Sequence, residues 1–501
     1  MNENLYALIE TSAAARADAI ALETDAGETI SYEALHEQAA RYATFLIGRG
    51  LVPGERVAVH ADKSAQALCL YLGCLRAGLV YLPLNTAYQR GELEYFLGDA
   101  EPRIIVCGPA AAPLFEELAG GTGAEVWTLD EHGVGSLASA AAKLPSDFAT
   151  AHMRADDLAV IVYTSGTTGR SKGAMVTHRN LASNVRALIE SWGFRERDVL
   201  LHALPMFHVH GLFVANHCAL VAGAKLLWHR RFDARVVLQA LPRATVFMGV
   251  PTYYTRLLAM DEFGRGQARG IRLFVSGSAP LLAETFREFE ARTGQRILER
   301  YGMSEAGMIA SNPLDGERRA GTVGMQLPGV SVRIADSEDR TLATGEIGGI
   351  QVTGDNVFAG YWRMPEKTRE EFTVDGWFRT GDLGTIDSDG YLSIVGRAKD
   401  LIISGGYNVY PKEIELAIDD LPGVAESAVF GVPHADFGEA VVAVVVAQGD
   451  ASLDGVAISE ALKTRLANYK VPKQVYVVAE LPRNAMGKVQ KALLRSRYNE
   501  A

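Results

Sequence analysis

Cysteine is scarce in this chain: the four thiols, Cys69, Cys74, Cys107 and Cys218, are scattered among 501 residues with no C-x-x-C pair. That spacing argues against a disulfide framework, a zinc site or an iron–sulfur cluster, and suits a reducing compartment. Long apolar runs are also missing. No segment approaches the roughly 20 residues needed to cross a bilayer. The longest aliphatic run, Ala440 to Ala447, is strand-sized and β-branched, and reads as a core strand. The opening residues, Met1-Asn2-Glu3-Asn4, lack a cationic stretch leading into an apolar one, so a cytoplasmic protein without membrane or secretory elements is expected. Positive charge is in deficit, with 49 Lys and Arg against 60 Asp and Glu and a net charge of −11. This opposes nonspecific binding to nucleic acid or anionic membranes, and leaves any anionic ligand to be met by local cations. Internal repeats and low-complexity tracts are absent.

What is present is material for two or three structural units, with 48% hydrophobic and 22% charged residues describing a soluble globular chain. Strand-like runs alternate with helical patterns: Arg56 to His60, Leu79 to Leu84, Arg103 to Cys107, Leu158 to Tyr163, Val199 to Ala203, Thr245 to Val250 and Ile271 to Ser276. Such alternation predicts an α/β fold with parallel sheets covered by helices. After about residue 320, Gly-rich turns separate short β segments, which reads as a small β unit closing the large domain. Past Gly396-Arg397-Ala398-Lys399-Asp400 the text becomes a compact α+β unit. The expected division is therefore 1–397 and 398–501.

The densest chemistry lies just after the run ending at Tyr163. Thr164, Ser165, Gly166, Thr167, Thr168, Gly169, Arg170, Ser171, Lys172 and Gly173 combine hydroxyls, glycines and two cations. Glycines let the backbone approach a phosphate, while N–H and hydroxyl groups supply donors. A loop gripping ATP phosphates is the expectation, against the plainer reading of a flexible surface turn. It is not a Walker A loop, since Ser171, not glycine, precedes Lys172.

Four further segments are individually weak. In Glu299-Arg300-Tyr301-Gly302-Met303-Ser304-Glu305, Tyr301 is suited to stack on adenine, Ser304 to bond the α-phosphate and Glu305 to hold Mg²⁺. Thr380-Gly381-Asp382 offers a carboxylate for ribose hydroxyls, Arg397 and Lys399 lie in a charged connector, and Lys488 lies in the terminal turn Asn484-Ala485-Met486-Gly487-Lys488. Taken alone, these are a loop, a common turn, a polar linker and a solvated lysine.

Together and in this order, YTSGTTGRSKG, ERYGMSE, TGD, GRAKD and NAMGK make the chain resemble the adenylate-forming superfamily. That group includes acyl-CoA synthetases, peptide-synthetase adenylation domains and firefly-type luciferases, and the resemblance spans nearly the whole chain. It implies a large domain and a small mobile domain meeting across the active site, with ATP, Mg²⁺ and coenzyme A used in two half-reactions. It further implies that Lys488 neutralises charge as a carboxylate attacks the α-phosphate. Ser278, Ala279, Pro280, Glu299, Tyr301, Gly302, Met303, Asp382 and Arg397 would line the nucleotide site. The hinge would be Lys399, and Ser404, Gly405 and Gly406 would approach coenzyme A.

The acid is indicated by His208, Arg256, Ser278 and Arg300. His208 stands near the acyl group by the resemblance, while His210 in the same HVHG stretch is less defined. Arg256, Ser278 and Arg300 match residues that hold a second carboxylate in malonyl-CoA synthetases. Two arginines at a small acyl pocket require a fixed anion, since a desolvated cation needs a partner. Malonate, or methylmalonate, is the expected dicarboxylic acid. Ser304 departs from the threonine usual in the family, which keeps the hydroxyl and enlarges the pocket. Other readings remain: a ligase for another small or aryl acid, an adenylation domain loading a carrier protein, or a nucleotide-binding regulator. Acetylation of Lys488 by a lysine acetyltransferase would remove the charge that adenylation uses.

Overall fold

A computed structural model describes residues 2–164, 171–404, 407–434, 438–449, 451–484 and 487–499. All seven expected strands form, and they are distributed over two sheets. Four belong to a six-stranded sheet ordered Glu125–Thr128, Ile104–Cys107, Arg56–His60, Val80–Pro83, Leu158–Thr164 and Lys172–Thr177. Its first five strands run parallel, and only the last pairing is antiparallel. Ile104–Cys107 is buried along its whole length, which explains its unbroken apolar text: a parallel strand covered on both faces has no polar alternation.

Val199–His202, Val246–Gly249 and Leu273–Ser276 are adjacent parallel strands of a nine-stranded sheet. Leu298–Met303 extends it in parallel, and Gly307–Ser311 then turns back antiparallel. The helices Pro251–Leu258 and Ala283–Thr293 cover it through Tyr254, Leu257, Phe286 and Phe289, packed with Phe247 and Phe274. Pro251 opens its helix in the first turn, where a missing N–H costs nothing.

Toward the carboxyl terminus, Gly438–Ala447 lies centrally in a sheet, antiparallel to Val424–His434 and parallel to Gln474–Val478. Val441, Ala443 and Val445 face one core cluster, and Ala440, Val442 and Val444 face another. The aliphatic run is thus a two-sided core strand.

Contacts divide the chain into two compact units, 1–331 with 352–378, and 332–351 with 379–501. Residues 332–351 pair with the residues after 378, through Gly345 N–H to Ile386 O and the Arg379–Asp339 ion pair. No helix among the described residues is long and apolar enough to cross a membrane.

Candidate active site

Within the first unit, the phosphate-loop flanks are strand ends. Thr164 and Lys172 are register partners in the antiparallel pair Leu158–Thr164 and Lys172–Thr177. Both flanks are thus strands, whereas a Walker A loop is followed by a helix. Ser165, Gly166, Thr167, Thr168 and Gly169 lie outside the described residues. The helix Arg90–Ala100 braces both flanks: Tyr163 OH donates to Asp99 Oδ2 at 2.5 Å, and Tyr95 OH donates to Ser171 O at 2.9 Å.

Glu305 meets this end of the site. Its Oε1 accepts from Tyr361 OH at 3.2 Å and from Thr164 Oγ1 at 3.4 Å. Lys172 Nζ sits 4.1 Å from the Tyr361 ring centroid and pairs with Glu371 at 3.3 Å. Burial raises the Glu305 pKa above the usual carboxylate value, opposed by its hydrogen bonds and by Lys172. Both side-chain donors to this carboxylate are neutral hydroxyls, so the environment suits a cation. Among the described residues no cluster of three or more His, Cys, Asp or Glu forms a complete metal cage. Tyr361 was not apparent in the sequence, because nothing local marks a tyrosine 56 residues away as a partner of Glu305.

Arg300 lies five residues earlier in the same segment, in the strand Leu298–Met303. It is 3% exposed, and its Nε and Nη2 have no hydrogen-bond partner. Burial pulls its pKa down to about 9. The guanidinium lies against Gly277, where a Cβ would come within 2.4 Å of Arg300 Cζ. Next to that glycine, Ser278 takes the left-handed conformation, φ 71°, which is uncommon outside glycine. Ser278 Oγ is 3.3 Å from His210 Nδ1. His210 is fully buried, its Nε2 lacks a partner, and burial followed by the Arg300 charge keeps it neutral.

Sequence reasoning favoured His208 over His210. His208 is half-buried, and its Nδ1 accepts the His210 N–H at 3.3 Å, but it is His210 that faces the half-buried Ser278 and feels the Arg300 charge. Arg256, in the last turn of Pro251–Leu258, is exposed. Of the two expected arginines, then, Arg300 is the one the fold buries. Glu299 is buried and accepts the Leu281 N–H at 3.2 Å, while Tyr301, Gly302 and Met303 follow in the strand. Ala279 and Pro280 continue from Ser278 before the helix Ala283–Thr293. Ser304 borders a narrow, mostly apolar cavity lined by Val185, Leu188, Val209 and Phe213 together with Asn180, Asn184, His217 and Asn356.

In the second unit, Asp382 and Arg397 are register partners and form an ion pair at 3.1 Å. Asp382 is buried, and Gly381 before it has φ 74°. Lys399 follows in a short 3₁₀ turn, with its pKa lowered chiefly by desolvation. Ser404 ends the strand Ile402–Ser404 and is buried. Gly405 and Gly406 lie outside the described residues. Lys488 is exposed, and its turn closes through Asn484 N–H to Lys488 O at 2.9 Å and Lys488 N–H to Asn484 Oδ1 at 3.0 Å. Arg483 of the same turn pairs with Glu426.

The chain matches the AMP-binding enzyme family over residues 9–362 and the AMP-binding enzyme C-terminal domain over 413–488. It is 36% identical to the malonate–CoA ligase of Arabidopsis thaliana, over 95% of this chain and 86% of that protein. With the sulfoacetate–CoA ligase of Cupriavidus necator it shares 37% identity, covering 98% and 97%. The crystal structure of ATP-bound MatB from Rhodopseudomonas palustris superposes with a TM-score of 0.98 at 54% identity, covering 100% of this chain and 99% of that one. The buried carboxylate at the phosphate-loop flank, the orphaned arginine five residues before it and these matches agree: the chain belongs to the AMP-binding enzyme family.

Proposed function

We infer that this protein is an AMP-forming acid–thiol ligase that joins malonate to coenzyme A through malonyl-AMP. The observation that carries the choice of acid is Arg300, a desolvated cation with two unpartnered nitrogens lying against Gly277, the residue before Ser278. Such a group is costly unless an anion binds it. A short dicarboxylate keeps one carboxylate for reaction and offers the other to Arg300. The similarity to malonate–CoA ligase supports the same reading. A fatty acid would bring an alkyl chain against the guanidinium.

In the first half-reaction, a malonate carboxylate oxygen attacks the α-phosphorus of ATP, and pyrophosphate leaves. The residues from Thr164 to Lys172 hold the leaving group, and Ser304 contacts the α-phosphate. Glu305 would hold Mg²⁺, which supplies charge neutralisation for the phosphates. Asp382, with Arg397, takes the ribose hydroxyls, and Tyr301 flanks adenine with Glu299, Gly302, Met303 and the Ser278–Pro280 backbone. Lys488 stabilises charge developing at the attacking and bridging oxygens. In the second half-reaction, the coenzyme A sulfur attacks the acyl carbon, its proton is released, and AMP leaves. Rotation at Lys399, at a 397/398 boundary, withdraws Lys488 and presents Ser404, Gly405 and Gly406 to the thiol. His208 borders the acyl group, and Arg256 joins Arg300 at the second carboxylate once the acid is bound. The reaction runs in the cytoplasm, and acetylation of Lys488 by a lysine acetyltransferase switches off the first step. Normal adenylation by Lys488→Gln would count against that switch.

The test combines protein, ATP, Mg²⁺ and coenzyme A with malonate, methylmalonate, sulfoacetate, acetate, octanoate or benzoate, and measures AMP and thioester. Malonate is expected to lead. Strong thioester formation with octanoate or benzoate and none with malonate would sink the proposal. The mostly apolar cavity beside Ser304 extends the reading to α-substituted malonates, so Ser304→Thr should lower methylmalonate use relative to malonate. Unchanged discrimination would remove that extension.

A further inference from the structure

Lys63 is a buried cation that neither half-reaction uses. It lies between the strand Arg56–His60 and the helix Ala65–Arg76, is 8% exposed, and has no carboxylate among its hydrogen-bond partners. Its Nζ is 2.7 Å from His202 Nδ1, 2.9 Å from His202 O and 2.7 Å from His229 O. The Trp228 ring centroid is 4.2 Å away, close enough for a cation–π contact.

His202 ends the strand Val199–His202, and its Nε2 is 2.9 Å from Gly211 O. A carbonyl oxygen only accepts, so Nε2 carries a proton. Burial and the adjacent Lys63 charge keep the imidazole neutral, which leaves Nδ1 as a bare acceptor. Lys63 therefore donates to all three neighbours and needs the three protons of an ammonium. Burial pulls the Lys63 pKa well below the usual lysine value, opposed by the Asp25 charge, and the three acceptors that the geometry places around Nζ require the ammonium.

Gly211 sits where the segment folds back on itself. A Cβ there would lie 2.0 Å from Pro205 O. The preceding residue is His210, whose Nδ1 faces Ser278 Oγ at 3.3 Å. Hydrogen bonds thus join Lys63 to His202 and His202 to Gly211, the backbone links Gly211 to His210, and His210 faces Ser278, joining residues far apart in sequence.

We propose that Lys63 and His202 are positioning residues for acid recognition: the Lys63 ammonium holds His202 as the Nε2–H tautomer, which pins the Gly211 carbonyl and sets His210 against Ser278 beside Arg300. The proposal rests on the acid site described above.

Lys63→Met keeps an unbranched stem and removes the three donors. It should raise KM for malonate about tenfold, the size typical of groups that orient a first ligand shell, and leave KM for ATP within about twofold. His202→Gln offers an amide acceptor to Lys63 and a donor to Gly211, so it should retain more malonate affinity than His202→Leu. Equal rises in both KM values, no change in either, or equal loss in the two His202 variants would overturn the proposal. Imidazole ¹⁵N NMR of histidine-labelled full-length protein reads the tautomer directly, with His202 assigned by its loss in His202→Gln. Wild type should show a protonated Nε2 and a bare Nδ1, with tautomer averaging in Lys63→Met. A proton on Nδ1 in wild type refutes the relay. This measurement needs no acid substrate, so failure of malonate ligation and failure of the relay are separate results.

Discussion

Replacing Arg300 with methionine should make the protein more stable and nearly inactive toward malonate at the same time. The guanidinium is 3% exposed, with Nε and Nη2 unpartnered. Burial pulls its pKa down to about 9, so the charged form costs on the order of a few kcal/mol before any ligand binds. Above pH 9, up to the higher unfolded value, the unfolded chain binds the extra proton, so stability rises with pH there, and at neutral pH the penalty is fully present. Methionine removes the charge but packs imperfectly, leaving a net gain of roughly 1–3 kcal/mol. Activity moves the other way. A hydrogen bond between charged groups contributes about 1.5–3 kcal/mol. Two such bonds to one carboxylate bring the loss in kcat/KM for malonate to on the order of 10²–10⁴-fold, at about 1.4 kcal/mol per decade. The assays are thermal unfolding with and without malonate, and AMP release with malonate and propionate. Arg300→Met should melt higher, lose stabilisation by malonate and keep its propionate rate. Gly277→Ala, which pushes a methyl into the guanidinium position, should reproduce the malonate defect. Malonate activity within threefold of wild type, or a lower melting temperature for Arg300→Met, would refute the reasoning.

Three other outcomes follow from the geometry. Lys488→Ala should slow adenylation by about 10² or more, equivalent to roughly 3 kcal/mol of lost transition-state stabilisation. Thioester formation from supplied malonyl-AMP should change less, and equal losses in both steps would be inconsistent with a role confined to the first. Tyr95→Phe removes the donor to Ser171 O, and should raise KM for ATP about three- to tenfold while KM for malonate stays constant, as steady-state kinetics will report. Asp419 accepts from Ser427 Oγ at 2.7 Å, and desolvation raises its pKa from 3.8 to about 7. A raised carboxylate contributes stability below the unfolded value that is lost as pH climbs toward 7. Asp419→Asn should therefore stabilise the protein by about 1–2 kcal/mol at pH 8 and by almost nothing near pH 4, as read by denaturant unfolding at the two pH values.

The sequence alone determined the α/β architecture, because its signal is local. Fully buried parallel strands such as Ile104–Cys107 appear as unbroken apolar text, and the helix opened by Pro251 announces its own start. The pairing of Thr164 with Lys172 is local too, since they lie within one short stretch and meet as register partners. Burial of individual polar groups was decided only by tertiary structure. Arg256 and Arg300 look alike as letters, yet one is exposed on a helix and the other is enclosed because Gly277, from a neighbouring strand end, lacks a Cβ. His208 and His210 are two residues apart, and only the path of the chain puts the second in the Ser278 group. Tyr361 reaches Glu305, and Lys63 reaches His202 across 139 residues. Desolvation and hydrogen-bond pairing depend on what the rest of the chain brings to a position, and no window of sequence contains that information.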